Sequence, residues 1–527
     1  MACAMVIDNA TNRTSFPREG LPMSGISQRR WLIIGVVVIV ILGLLVSLSL
    51  YFLSSLTSGK SASGTPTRVS STPPSSEPPI SRSSTTQATM TPTQSGNPSN
   101  VDLQLLQLSS DPYNNRGSQH QTEVEPGTYS SGSTIVSAFQ AGRFSDRGSS
   151  NIGWAASTDG GRTWQHGFLQ GTTKYAGGPY DRITDPTVAY DAAHHTWMIN
   201  TIVFLQESGG IRAPAVLASL SPDGINWGNP VTVANVGSNG YLDKDWVVCD
   251  DTSTSRYYGH CYAEWDDSAR GNLIQMSTST DGGRTWRAAG TTVNRASGFD
   301  GEPLVQPNGT VIVPLSNANQ TAVMAFTSND GGASWSQPIT IATVTSFSQS
   351  AYFHDDILLT AAIDGSGKVY LAWADCRFEN GCQGNDLVIT TSTNGIAWTS
   401  VRRIPIASPG SGINYYVSSL GVDTSTSGSM AHLGLVFYYY TASCAYNCKL
   451  SVGFISSIKG GSAWNIKTQL AGPFPASWIA QGNNKVGDYI SVSFSNGRAF
   501  PVFSVAASPS AGHLNETMDT VQGGIAL

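Results

Sequence analysis

An eight-residue segment, STDGGRTW, occurs twice in this chain of 527 residues, at Ser157–Trp164 and at Ser279–Trp286. Weaker copies read SPDGINW (Ser221–Trp227), SNDGGASW (Ser328–Trp335) and STNGIAW (Ser392–Trp398), and a decayed one, SIKGGSAW, runs from Ser457 to Trp464. Successive copies lie about 50 to 65 residues apart, the spacing of four-stranded blades in a radial repeat. Alternating apolar runs precede them, as in NIGWAAS and LIQMSTS, and period two marks a half-buried strand. The Asp carboxylate can accept from backbone N–H groups just beyond it, the Gly tolerates positive φ, and the Trp buries a large ring as the chain rejoins the sheet. Each copy therefore predicts a hairpin corner. Its Asp is read as a turn staple rather than a catalytic group, because one turn per blade cannot converge on one site.

The pattern S-x-D-x-G-x-x-W resembles the Asp box, or bacterial neuraminidase repeat, of the sialidase superfamily, and the resemblance covers residues 101–527. It implies an all-β fold, a β-propeller of four-stranded antiparallel blades. Low charge, with Asp, Glu, Lys and Arg at 12% of the chain, and 55 glycines suit such a turn-rich protein. A net charge of −6 argues against nucleic acid as a partner.

The N-terminal hundred residues have a different character. Residues 1–30 are polar and end in Arg29 and Arg30, and Trp31–Leu53 is apolar without a charge. Twenty-three residues are long enough to cross a hydrocarbon core of about 30 Å. The arginines before the span predict a signal anchor with the N-terminus inside and the rest outside, so the expected location is the cell membrane, single-pass, with the C-terminal domain extracellular. Residues 54–100 are Ser, Thr and Pro with few apolar groups, which predicts an extended stalk. Six of the seven cysteines are close neighbours, Cys249 with Cys261, Cys376 with Cys382 and Cys444 with Cys448. An outside location predicts three local disulfides, and Cys3 is left over on the inner side. No CxxC spacing appears, so zinc is not expected.

A second, quieter repeat counts the blades. Acidic or aromatic residues stand just before apolar strands in TEVEPGTYSSGSTIVSAF, ITDPTVAYDAAHHTWMINTIV, LDKDWVVCDDTS, FDGEPLVQPNGTVIVPL, HDDILLTAAIDGSGKVYLAW, NYYVSSLGVD and GDYISVSFSNGRAFPVFSV. These are seven candidate innermost strands against six corners. The last unit is short, and Val101–Ser109 is the segment available to complete it. Joining the chain ends in one blade removes open edges, which favours seven blades. The sialidase resemblance implies six, so six is the alternative.

Inner-strand starts converge on one mouth of a propeller. Here they carry Glu123, Glu125, Asp185, Asp243, Asp245, Glu302, Asp355, Asp356, Tyr415, Tyr416 and Asp488. Crowded carboxylates push each other's pKa values apart, so one serves as acid while another serves as base, the pairing glycoside hydrolysis needs. A ring of carboxylates is equally a site type that holds Ca²⁺; no resident metal or other cofactor is otherwise expected. His354, beside Asp355 and Asp356, is a candidate proton carrier, whereas His194-His195 reads as a surface turn.

The resemblance to sialidases implies a Tyr nucleophile, a Glu that activates it, an Asp acid/base and three arginines that clamp a carboxylate. Glu302, in FDGEP, falls where the family's Glu is expected; Tyr416, or its neighbour Tyr415, suits the nucleophile, and Asp185 the acid/base. Arg182, Asp245, Asp356 and His354 are the expected substrate contacts. The chain departs from the family at the arginines: blade 1 reads TEVEPG where the family has an aromatic residue followed by Arg-Ile-Pro, and no Arg opens any of the seven strands. Arg182, three residues before Asp185, lies closest. Guanidinium groups are the natural bidentate clamp for a carboxylate, and an acidic mouth repels one. The expected function is thus a membrane-anchored glycosidase on sialosides or neutral glycans, with a non-catalytic glycan-binding or adhesion propeller as the alternative.

Overall fold

The computed structural model describes residues 103–347, 353, 357–444, 447–482 and 486–527. The apolar run Trp31–Leu53, the stalk, Cys3, His354, Asp355 and Asp356 lie outside the described residues. Among the described residues no helix is long and apolar enough to cross a membrane. The unit from Pro98 to Leu527 is all-β, with antiparallel sheets and only short 3₁₀ turns between strands.

The corners behave as staples. Ser157 Oγ donates to Asp159 Oδ1 at 2.8 Å, and Asp159 Oδ1 accepts the N–H groups of Arg162 and Thr163 at 3.0 and 2.9 Å. Asp223, Asp281 and Asp330 accept in the same way from Asn226, Thr285 and Ser334. The second glycine is as necessary as the acid. Gly161 has φ +80°, and a Cβ there would sit 2.1 Å from the Phe500 ring of another sheet. His194 lies in the turn after Arg182–Asp191, where Asp191 accepts its N–H and holds its ring.

Among the described residues the expected inner strands correspond to Glu123–Ser131, Arg182–Asp191, Leu242–Cys249, Leu304–Val305, Leu359–Ile363, Ile413–Val422 and Ser491–Ser495. Each heads an antiparallel meander. The first two meanders fuse into one eight-stranded sheet through a single pairing, Ser149 with Ile183. Each inner strand touches the next in chain order, and Ser491–Ser495 touches Glu123–Ser131, so the series closes on itself. Apolar cores fill the spaces between neighbouring sheets. One joins Val136, Trp154, Ile183, Trp197, Leu217 and Trp227, all buried.

The chain ends meet as the sequence predicts, over a shorter strand. Leu105–Gln107 pairs antiparallel with Glu516–Val521, Leu105 opposite Val521. Leu108 is 2% exposed and packs with Phe139, Ala155, Val502 and Met518. Leu108→Ala is therefore expected to cost about 3 kcal/mol in urea unfolding, as for an interior leucine; a change under about 0.5 kcal/mol would show that this strand does not belong to the cooperative unit. All three disulfides form at the expected pairs, and Cys249 lies directly opposite Cys261 on adjacent strands.

Candidate functional site

Glu125, Asp185, Lys244, Asp300 and Val417 all have positive φ, between 41° and 58°. Four of them lie at register breaks in their inner strands, at Val124/Gly127, Thr184/Thr187, Asp243/Trp246 and Tyr416/Ser418. A left-handed backbone costs a side-chain-bearing residue about 1–2 kcal/mol. Bulges of this kind re-aim side chains beside functional sites. Their repetition at one level around the ring turns a set of polar side chains toward common neighbours.

The neighbours form one network drawn from several sheets. Lys244 Nζ lies 2.5 Å from Asp488 Oδ2 and 3.7 Å from Asp300 Oδ1. The Lys244 N–H donates to Asp185 Oδ2 at 3.1 Å, and Thr184 Oγ1 donates to Asp185 Oδ1 at 2.7 Å. The Asp488 N–H donates to Glu125 Oε1 at 3.0 Å, and Gln140 donates to the other Glu125 oxygen. Close approach here requires glycine: a Cβ on Gly487, at φ +104°, would lie 2.0 Å from Glu125 Cγ. The Tyr489 ring sits 5.0 Å from the Lys244 ammonium and meets Trp246 edge-on at 5.8 Å.

Carboxylates crowd this single ammonium. Burial, reinforced by the charge of Asp185, pushes Asp243 up to about 7. Asp243 is nevertheless partly exposed. Asp245, Glu264 and Asp266 are buried, and burial raises each well above the carboxylate range, with neighbouring acids adding to it. Among the described residues neither oxygen of Asp245 or Asp266 has a hydrogen-bond partner. Such burial favours the protonated form of each. Among the described residues no three His, Cys, Asp or Glu side chains are arranged to hold a metal ion.

The residues expected from the sequence are distributed unevenly. Asp185 belongs to the network, as a carboxylate accepting from Lys244 and Thr184. Asp245 lies beneath it, fully buried. Glu302 is buried and reaches across to the next sheet, where Oε2 accepts the Ala361 N–H at 2.5 Å. Tyr416 packs in an aromatic nest with Phe353 and Tyr440, at ring distances of 5.3 and 5.5 Å. Among the described contacts none joins Glu302, Tyr416 and Asp185. Contrary to the expectation that no Arg opens an inner strand, Arg182 is the first residue of Arg182–Asp191, but it is engaged by Asp146, by the carbonyl of Arg147 and by the Phe144 ring, its Cζ 4.2 Å from the ring centre. Arg147 donates to the Tyr241 hydroxyl, and Arg143 donates to Gln140 and to the Gly148 carbonyl. Lys244 and Tyr489 escaped the sequence reading. The signal for Lys244 was a lysine flanked by two aspartates in LDKDW.

A pH dependence follows. Burial pushes Asp111 to about 6, Asp243 and Asp251 to about 7 and Glu123 to about 8, from the ordinary carboxylate range of about 4. Between those limits the native state binds more protons than the unfolded chain, so stability falls as pH rises from about 4 to about 8. The corner acids act oppositely. The Thr163 hydroxyl holds Asp159 low, and although burial pushes Asp223 up, bonds from Asn226 outweigh it and bring it to about 2. Their contribution is present above about pH 4 and lost below it. Thermal melts should therefore give a maximum near pH 5 and a lower midpoint at pH 8; a midpoint rising from pH 5 to 8 would contradict the burial of these acids.

Residues 212–423 match the family model described as BNR repeat-like domain. No curated protein matches the chain. Similar solved structures include a Hadza microbial sialidase, Hz136, at 16% identity over 60% of this chain and 63% of that one, with a TM-score of 0.41. Another is the Trypanosoma rangeli sialidase in complex with the inhibitor DANA, at 14% identity over 64% of this chain and 58% of that one, TM-score 0.42. A third is a PL25 ulvan lyase bound to GlcA(1-4)Rha3S, at 11% identity over 78% and 96%, TM-score 0.45. The chain thus spans less than two thirds of the length of the first two. Residues 212–423 are thus similar to a BNR repeat-like domain, and Asp-box corners recur on both sides of that segment.

Proposed function

We propose that the Pro98–Leu527 unit is a seven-bladed propeller that acts on glycans, and that its central mouth hydrolyses a glycosidic bond in a neutral glycan. The closed series of seven inner strands supports the blade count. The observation that carries the chemistry is Asp243, partly exposed and raised to about 7 beside an Asp488 carboxylate ion-paired with Lys244. Asp243 donates its proton to the departing glycosidic oxygen, and Asp488 takes a proton from the attacking water as the old C–O bond breaks and the new one forms. The neutral substrate follows from the arginines: Arg143, Arg147 and Arg182, the ones beside this network, are already engaged by the protein's own groups. A non-catalytic glycan-binding role is the second reading, favoured by Glu302, whose carboxylate serves the Ala361 backbone instead of a nucleophile.

Trp31–Leu53, behind Arg29 and Arg30, would anchor this unit in the cell membrane with the Ser/Thr/Pro stretch holding it outside. The activity is tested by incubating the full chain with sialosides, neutral oligosaccharides and uronate-bearing oligosaccharides. Hydrolysis of a neutral substrate is expected. Cleavage of sialosides alone would overturn the neutral assignment, an unsaturated product would overturn hydrolysis, and binding without turnover would favour the second reading.

A further inference from the structure

The sixth corner gives up its acid. Asp159, Asp223, Asp281 and Asp330 occupy the staple position in four copies and Asn394 in a fifth, where its Oδ1 still accepts from Ile396 and Ala397. In SIKGGSAW the position is Lys459, which can accept nothing. The turn survives because Ser457 Oγ accepts the N–H groups of Lys459 and Gly461, each at 3.1 Å, and Trp464 still donates to the Gly461 carbonyl. An oxygen acceptor, carboxylate in four of the other turns and amide in the fifth, is thus replaced by a cation with no gain to this one.

Lys459 faces other cations. A surface cavity of about 520 Å³ is lined by Lys368, Arg402 and Lys459 together with Thr399, Ser429 and Ser462, and no Asp or Glu lines it. Among the described residues none of the three cations has an ion pair. The Lys368 ammonium rests over the Tyr370 ring at 4.6 Å. Burial lowers its pKa, Asp364 partly offsets this, and Arg402 lowers it further. Asp364, the nearest acid, is occupied by the Ser366, Lys368 and Gly428 N–H groups and the Tyr370 hydroxyl. The lining thus carries three positive side chains and no carboxylate.

The cavity is remote from the mouth. Val422, Leu433 and Ser457 are in register at one end of their sheet, as are Ile363, Val369 and Ser392 in the neighbouring one. Lys368, Ser429 and Lys459 belong to the turns at those ends and Arg402 to the edge strand Arg402–Arg403 beside them, whereas the network around Lys244 gathers at the opposite ends, where inner strands start. A protein of net charge −6 thus carries a local site of opposite sign to its mouth.

We propose that this cavity binds an anionic sugar, one bearing a sulfate or carboxylate, within an acidic polysaccharide. Guanidinium and ammonium groups bind such oxyanions through charge-assisted hydrogen bonds, and the hydroxyls suit sugar oxygens. A volume of about 520 Å³ exceeds what a bare ion fills and matches a small-molecule site.

Calorimetric titration of the full chain with a heparin-derived tetrasaccharide tests the proposal, with inorganic sulfate, a DNA oligonucleotide and a neutral tetrasaccharide as further probes. Saturable binding of the sulfated tetrasaccharide is expected, weakening with salt, whereas any binding of the neutral one should be insensitive to salt and to the cavity variants. Lys459→Asp should weaken it at least about tenfold while the thermal midpoint stays or rises, because the acid restores the staple. Arg402→Ala should weaken it similarly. Asp243→Asn, at the mouth, should leave it unchanged, so failure of the proposed hydrolysis and failure of this site are read separately. Unchanged affinity in both cavity variants, or no binding at all, would overturn the site. Equal affinity for inorganic sulfate would overturn the sugar, and equal affinity for DNA would overturn the polysaccharide.

Discussion

Asp243→Asn should lower turnover of a neutral glycoside by about 10²–10⁴-fold without unfolding the protein. The amide keeps the shape of the carboxylic acid and removes its proton. It also removes one member of a crowd of acids that burial and mutual repulsion already disfavour in charged form, so stability should hold or increase. The pH profile separates this role from a merely structural one. With Asp243 near 7, the wild-type rate should fall as pH rises through that value, because the acid is lost. The variant should show no such limb. Aryl glycosides with good leaving groups need little protonation, so their loss should be much smaller. Equal losses on both substrates, with the basic limb unchanged, would remove Asp243 from the role of acid.

Lys244→Met should cost about 3–5 kcal/mol at pH 7.5 in urea unfolding. The lysine side chain is 10% exposed and that of Asp488 14%, and the same ammonium lies 3.7 Å from Asp300. Removing the cation takes its positive charge away from buried carboxylates, which is far more costly than losing a surface pair. The penalty has a sign in pH. Without Lys244 the surrounding acids take up protons more readily, so the destabilisation should shrink toward pH 5. Adding Asp488→Asn should restore part of the loss, since the two positions are coupled. A penalty independent of pH, or strict additivity in the double variant, would show that Lys244 contributes only packing.

The corners and the disulfides were legible because their interactions are local. Asp159 bonds residues within four positions of itself, and the bridged cysteines lie 12, 6 and 4 residues apart. The alternating runs likewise located the inner strands, and the short last unit announced its need for the strand at Leu105–Gln107. The site was legible only in outline. Acids at strand starts were visible, but Glu302, chosen for its place in FDGEP, binds the Ala361 backbone, and Tyr416 turns into an aromatic nest. Side-chain direction at a strand start depends on where the register slips, and that is set by the neighbouring strand.

Sequence alone determined the repeating hairpin corner, and with it an all-β protein of radial sheets, because a turn of eight residues carries its own hydrogen-bond partners. Tertiary structure decided which polar groups meet. Lys244 and Asp488 are separated by 244 residues, and Asp488 and Glu125 by 363. They come together only when the last sheet closes against the first, and that contact is long-range packing that no local pattern encodes.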